Sequence, residues 1–318
     1  MKSRFIKDLE ENEKIESDFS VKYKKPLKPY KSGWMFILGL SDKTGEIEAK
    51  YWGGEDKNFV KDVYNQITPG DVLRIKGTVS EFKGRLQINI EEGEGSIKKL
   101  EIFDIEDFVE KSRRDIEKMF SELKEEMSTI KNPHLKRLMD EFLNDKDFIE
   151  RFKRAPAAMF YHHAYIGGLM EHVLNMIHVA KALKDRYDYL DLDLIKVGCF
   201  IHDIGKIKEF EVTTNIKQSR HGLLRGHMSL GEEILLEKIN KMGNFPENLK
   251  HKLLHIIISH HGSRENGSVV PPMFPEAAAV YYLDELDSKI RQYIDLKENA
   301  DTDDFHIWTK RFGQIYLE

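Results

Sequence analysis

The dipeptide His202-Asp203 closes the apolar run Val197-Gly198-Cys199-Phe200-Ile201. Adjacent residues do not face each other within a helix. At a helix end, however, an imidazole and a carboxylate can both bend toward one cation. That donor pair suits Mn, Fe, Co, Ni or Zn better than Mg or Ca. An isolated His-Asp pair at a helix terminus is more often inert, but this one has company. His172 lies upstream on an amphipathic segment, His227 follows Arg225-Gly226, and His260-His261-Gly262 ends another apolar run. Asp284 follows Val280-Tyr281-Tyr282-Leu283, where a carboxylate is costly unless paired or ligated.

The histidines are segregated. The chain has 13, none before residue 134, and 11 fall between His162 and His261. Even spreading over that stretch would give about four. Histidine is the commonest metal ligand and titrates near neutral pH. A lone histidine is more often a satisfied core or surface residue. The joint order His, His-Asp, His, His-His, Asp over successive helices points instead to a metal centre. His178, His221, His251, His255 and His306 are read as structural or surface residues.

The elements that must hold these ligands read as helices. Residues 155–318 carry apolar positions at helical spacing, with candidate helices Gly168–Leu183, Asp191–Ile201, Gly226–Lys241, Asn248–His260 and Glu276–Ile294. The first hundred residues read as β. Trp34–Leu40 is strand-like, Glu46–Tyr51 alternates with period two, and Lys83-Gly84 turns Val72–Phe82 into Arg85–Ile90. A short helix fits Asp56–Gln66. That order is the order of a small closed barrel of the OB type, and a small β sandwich fits it too. The fold class expected is multidomain α+β: an OB-like barrel over 1–100, a helical connector over 101–150, and an all-α bundle over 151–318.

Composition narrows the classes. At 318 residues, 40% hydrophobic and 33% charged, the chain is long enough for two domains and apolar enough to fold. The net charge of −5 shows no overall basic excess, so a nucleic-acid site must be local. Residues 20–90 supply one, with 13 Lys+Arg against 8 acids. Lys22-Tyr23-Lys24-Lys25 and Lys28-Pro29-Tyr30-Lys31 interleave charge and rings. Basic grooves with stacking aromatics bind single strands. Tyr23, Tyr30 and Phe82 are expected to be exposed for that purpose, and Trp34, Phe36 and Trp52 to fill the barrel. The bland alternative for the lysines is an edge that blocks strand pairing. The single cysteine, Cys199, fits a reducing cytoplasm, and no apolar run is long enough to cross a membrane.

The segments His162-His163-Ala164-Tyr165-Ile166-Gly167-Gly168-Leu169-Met170-Glu171-His172, His202-Asp203-Ile204-Gly205-Lys206, Gly226-His227-Met228-Ser229 and Ser259-His260-His261-Gly262 resemble the HD phosphohydrolase superfamily. The wording around them resembles more closely its YhaM family of 3′–5′ exoribonucleases, which join an OB-type domain to an HD domain. The resemblance is strong from 155 to 290. It implies one metal held by His172, His202, Asp203 and Asp284 and a second by His227, His260 and His261, with Asp203 bridging and catalytic. Two divalent ions are implied, Mn, Co or Fe first, with Mg, Ni or Zn not separated from them. Lys206 is expected to hold a phosphate oxygen or protonate the leaving group, or else to be a solvated helix-end lysine. His162 and His163 line the substrate cleft, donate hydrogen bonds behind the ligands, or cap a helix. Arg264 and Ser263 are candidate phosphate contacts, with a plain polar loop as the alternative.

The function expected is a metal-dependent 3′–5′ exonuclease on single-stranded nucleic acid, RNA before DNA. The alternatives are an HD phosphohydrolase of a small nucleotide or cyclic dinucleotide with a regulatory barrel, and a non-catalytic single-stranded DNA-binding factor. Expected partners are single-stranded RNA or DNA and no membrane. A homo-oligomer is left open.

Overall fold

The computed structural model describes residues 2–93, 95–300 and 302–317. The chain divides into two compact units, Met1–Glu110 with Val212–Ile216, and Lys111–Glu211 with Lys217–Glu318.

The first unit is a closed barrel. Its strands are β1 (Lys14–Tyr30), β2 (Gly33–Asp42), β3 (Gly45–Trp52), β4 (Val72–Phe82) and β5 (Arg85–Glu91), with helix α1 (Lys57–Gln66) between β3 and β4. The sheet order β1-β2-β3-β5-β4 closes because β1 also pairs with β4, and β3 pairs with β5 in parallel. A short β6 (Ile97–Leu100) extends β4. This is the OB topology, and the closure removes the free edges of the five barrel strands. One long strand serves two neighbours because its register shifts between Val21 and Tyr23 and again between Lys25 and Lys28. Such bulges bend a strand and re-aim its side chains. Period-two alternation sends Phe19, Leu38, Leu40, Ala49, Ile75, Val79, Ile88 and Ile90 into one core. Phe36 stacks on Tyr51 there with ring centroids 4.8 Å apart. Asp56 caps α1, accepting from the backbone N–H of Asn58 and Phe59, and α1 presses Val60 into the same core.

The second unit is helical: α2 (Ile116–Ser128), α3 (Pro133–Leu143), α4 (Lys146–Arg154), α5 (Gly168–Lys184), α6 (Leu192–Ile201) and α7 (Lys206–Glu209). A short hairpin of β7 (Phe210–Val212) and β8 (Ile216–Gln218) follows. Then come α8 (Arg220–Met242), α9 (Glu247–Ser259), α10 (Pro275–Glu298) and a hairpin of β9 (His306–Thr309) and β10 (Gly313–Tyr316). The stretch expected as a connector supplies Met119, Leu123, Leu138 and Phe142 to the same core as Val173, Phe200, Leu235, Ile256 and Val280. The two hairpins depart from the all-α expectation. Their strands are only three or four residues long, too short for a period-two signal to stand out.

Candidate metal centre and candidate nucleic-acid groove

Five helices deliver the polar cluster. His172 sits on the buried face of α5, and His202-Asp203 ends α6. His260 is the C-terminal cap of α9, His261 follows it, and Asp284 lies within α10. His227 owes its place to Gly226, whose φ of 67° and ψ of 162° break α8. That left-handed φ suits glycine, and the break lets His227 open the inward-facing part of the helix. Gly205 is required for a different reason. A Cβ there would lie 1.8 Å from the His227 carbonyl oxygen, so only glycine lets the two segments approach.

Four imidazoles share one arrangement. His202 Nδ1 donates to the Cys199 carbonyl at 2.8 Å, and His260 Nδ1 donates to the Ile257 carbonyl at 2.7 Å. His172 Nδ1 donates to Asp287 Oδ2 at 2.6 Å, and His227 Nδ1 lies 3.1 Å from Glu209 Oε2. A carbonyl or carboxylate facing Nδ1 keeps a proton there, so Nε2 is the nitrogen that can ligate once it carries no proton. All four Nε2 atoms, of His172, His202, His227 and His260, are buried without a hydrogen-bond partner among the described residues, as is Asp203 Oδ1. Buried polar atoms are rarely left unpaired. Here they converge. Asp203 Oδ1 lies 3.5 Å from His260 Nε2 and 3.6 Å from His227 Nε2, while Asp203 Oδ2 lies 3.2 Å from His202 Nε2. His172 Nε2 lies 3.3 Å from Asp284 Oδ1. The donor atoms of His172, His202 and Asp284 fall within 4.8 Å of one another, and so do those of His227, His260 and His261. This donor set, four unpaired imidazole nitrogens with Asp203 Oδ1 and the Asp284 carboxylate beside them, fits divalent transition-metal ions.

Charge in the cluster is held by its neighbours. Burial opposes ionisation of Asp203, but the Lys206 ammonium and the His202 imidazole keep it well below the usual carboxylate range. Lys206 Nζ donates to Asp203 Oδ2 at 2.5 Å. Asp284 is likewise held low, against burial, by His172 and His202. Burial also opposes the imidazolium of His172, yet Asp284 and Asp287 outweigh it and push this histidine up to about 9. A ligating nitrogen cannot carry a proton, so cation uptake must displace one. Metal affinity is therefore expected to rise with pH up to about 9, with proton release. Calorimetry in buffers of different ionisation heats checks this, and uptake with no proton released contradicts it.

His162 and His163 part company. His163 is buried, with Nδ1 on the Tyr165 hydroxyl at 2.7 Å and Nε2 on Asp287 Oδ2 at 2.8 Å. Both nitrogens are spent, so His163 stands behind the ligands and not in a substrate cleft. His162 has its ring centroid 5.7 Å from that of His172, and its Nδ1 is buried without a partner. Burial and the nearby Lys206 charge push His162 down to about 3, so it is neutral at physiological pH. Arg264 is exposed on the loop after His261-Gly262.

Two carboxylates escaped the sequence reading. Asp287 accepts from His172, from His163 and from Asn175 Nδ2 at 2.9 Å. Glu209, which is buried, backs His227. The Asp284–Asp287 spacing of three residues along one helix was the available signal for the first.

On the barrel, a groove of about 920 Å³ opens over β2, β3 and β5, lined among others by Tyr23, Lys28, Lys50, Phe82, Lys83 and Arg85. Phe82 is 54% exposed, with Lys50 Nζ 4.6 Å from its ring centroid, and Tyr23 is 40% exposed. Glu46 and Glu48 temper the basic charge, pairing with Lys22 and Lys25. Tyr30 departs from expectation. It is half-buried, its hydroxyl donates to the Gly53 carbonyl at 2.8 Å, and its ring meets Trp52 edge-on at 4.9 Å.

Residues 169–289 match the family model of the HD domain, and residues 21–94 match that of the OB-fold nucleic acid binding domain. The chain joins an OB-fold domain to an HD domain. The pairing is that of a metal-dependent phosphohydrolase domain attached to a nucleic-acid-binding domain. A domain of replication protein A from Methanococcus maripaludis is similar to this chain at 24% identity, over 30% of this chain and 93% of that one, with a TM-score of 0.25. The HD domain of the L. monocytogenes phosphodiesterase PgpH is 18% identical over 52% of this chain and 80% of that one, with a TM-score of 0.30. Among the described residues, no helix is long and apolar enough to cross a membrane.

Proposed function

We propose that this protein is a metal-dependent 3′–5′ exonuclease of single-stranded nucleic acid, RNA before DNA, of the YhaM type, acting in the cytoplasm. The observation that supports it most is the set of four buried, unpaired Nε2 atoms, three facing Asp203 and the fourth Asp284, in a chain that also carries an OB domain. The cleavage direction is carried over from the resemblance of the His162–His172 and His202–Lys206 segments to that family.

His172, His202, Asp203 and Asp284 would hold one divalent ion, and His227, His260 and His261 a second, with Asp203 shared. When bound, such ions supply a nucleophilic water at neutral pH and neutralise the phosphodiester anion. The protein's own groups do the rest. Asp287, Glu209 and two main-chain carbonyls fix the imidazoles before substrate arrives, which is how electrostatic preorganisation operates. Lys206 uses one donor on Asp203 and keeps others for a non-bridging phosphate oxygen. His162, neutral and with Nδ1 unpaired, is assigned to a substrate oxygen at the same centre. Arg264 is assigned to phosphate further along the strand.

In the groove, Phe82 and Tyr23 stack bases while Lys28, Lys50, Lys83 and Arg85 follow the phosphates. Stacking is worth roughly 1–3 kcal/mol per base. The Tyr23→Ala/Phe82→Ala double variant is expected to weaken single-strand binding by at least about tenfold. Its hydrolysis of a single nucleotide ester should be unchanged. Fluorescence anisotropy with a labelled oligonucleotide checks this, and unchanged affinity would move the strand to another face. Turnover of an oligonucleotide beside that of a cyclic dinucleotide separates the nuclease reading from a small-nucleotide phosphohydrolase. Preference for the cyclic dinucleotide would overturn the nuclease reading.

A further inference from the structure

The outer face of α10 carries an apolar row that the described residues leave exposed. Tyr282, Leu286, Ile290 and Ile294 recur every fourth residue, and they are 67%, 46%, 51% and 41% exposed. At one end the row runs into a groove of about 440 Å³ between α5 and α10, whose rim carries Tyr187 and Tyr189, 49% and 70% exposed. Taking ~200 Å² per aromatic side chain and somewhat less per aliphatic one, these six expose roughly 600 Å². That is the upper end of the largest apolar patch on a monomer, ~300–600 Å². It approaches the ~800 Å² that each partner brings to a standard interface.

We infer that this face is a twofold interface between two copies of this chain. The row is evenly spaced about residue 288, so a copy running antiparallel presents the same row back, with Leu286 opposite the partner's Ile290. A twofold contact requires such self-complementarity, and it closes at two copies. The row itself has no lysine or arginine, which does not suit a nucleic-acid strand. Tyrosine on an apolar ground is the composition of protein interfaces. The inference stands apart from the nuclease reading, because none of these residues is in the metal cluster or the barrel groove.

The test is light scattering on the full chain after gel filtration, with and without Leu286→Glu. The wild type is expected at twice the chain mass of 37.2 kDa and the variant at the chain mass. Leu286 is half-exposed, so the variant should keep its circular dichroism and melting temperature. As a second readout, Ile290→Cys lies near the twofold axis and should cross-link copy to copy with a short bis-maleimide. His251→Cys, exposed on α9, should not, and the native Cys199 is buried. A wild type that stays monomeric at its highest soluble concentration overturns the inference. So does a dimer that Leu286→Glu leaves intact and Ile290→Cys fails to trap.

Discussion

Asp203→Asn removes activity by about a thousandfold or more, the scale of losing a central electrostatic group, and takes bound metal with it. The side chain keeps its size, but the carboxylate that faces three imidazoles is gone. Its Oδ1 lies 3.5 Å from His260 Nε2 and 3.6 Å from His227 Nε2, and Oδ2 lies 3.2 Å from His202 Nε2. An amide in its place brings N–H groups against lone pairs and leaves Lys206 with no anion in a buried site. Because Lys206 and His202 hold Asp203 well below the usual carboxylate range, it is ionised at any working pH. The loss should therefore not be rescued by raising the pH. Metal content by mass spectrometry, read beside turnover, checks this. A variant that keeps its metal and its rate would show that Asp203 is not the shared ligand.

Asp287→Asn is the second large effect, and it reaches the centre through another residue. Asp287 is a positioning residue that anchors His172 at 2.6 Å and His163 at 2.8 Å. Removing a carboxylate behind a ligating histidine costs about 10–100-fold in metal affinity or activity. The expected signature is an activity loss that added metal largely restores, whereas added metal does not restore Asp203→Asn. Asp287→Glu should recover less than full affinity, since the longer side chain cannot hold both imidazoles at the same distances. A metal titration of each variant reads this out. A loss of activity with unchanged metal affinity would remove Asp287 from this role.

The candidate ligands drew notice in the sequence because each is conspicuous where it sits. Each alone has an ordinary structural reading, but His172, His202-Asp203, His260 and Asp284 all end or interrupt apolar helices in succession, and that joint order does not. Asp287 and Glu209 were not legible for the opposite reason. One third of the chain is charged, and a carboxylate on a polar helix face looks the same whether it meets water or the back of an imidazole. His163 and His162 adjoin in sequence, yet one is tied at both nitrogens and the other has Nδ1 unpaired. His163 takes a φ of 50°, a left-handed conformation that no residue pattern announced. In the barrel, an apolar run and period-two alternation marked β2 to β5, but β1 (Lys14–Tyr30), the longest strand, went unread. Tyr30 was read as exposed from its basic, aromatic neighbourhood, which does not separate a free stacking face from a ring packed on Trp52.

The reaction proposed for this protein is hydrolysis of the 3′-terminal phosphodiester of a single strand at the Asp203 centre. The most direct measurement is a time course on 5′-labelled single-stranded RNA and DNA with Mn²⁺, run beside EDTA and Asp203→Asn controls. A ladder that shortens from the 3′ end is expected, absent in both controls, and the RNA-to-DNA rate ratio then sets the preferred strand. Intact label after incubation with folded, metal-loaded protein would contradict it, and so would label released at once as a mononucleotide.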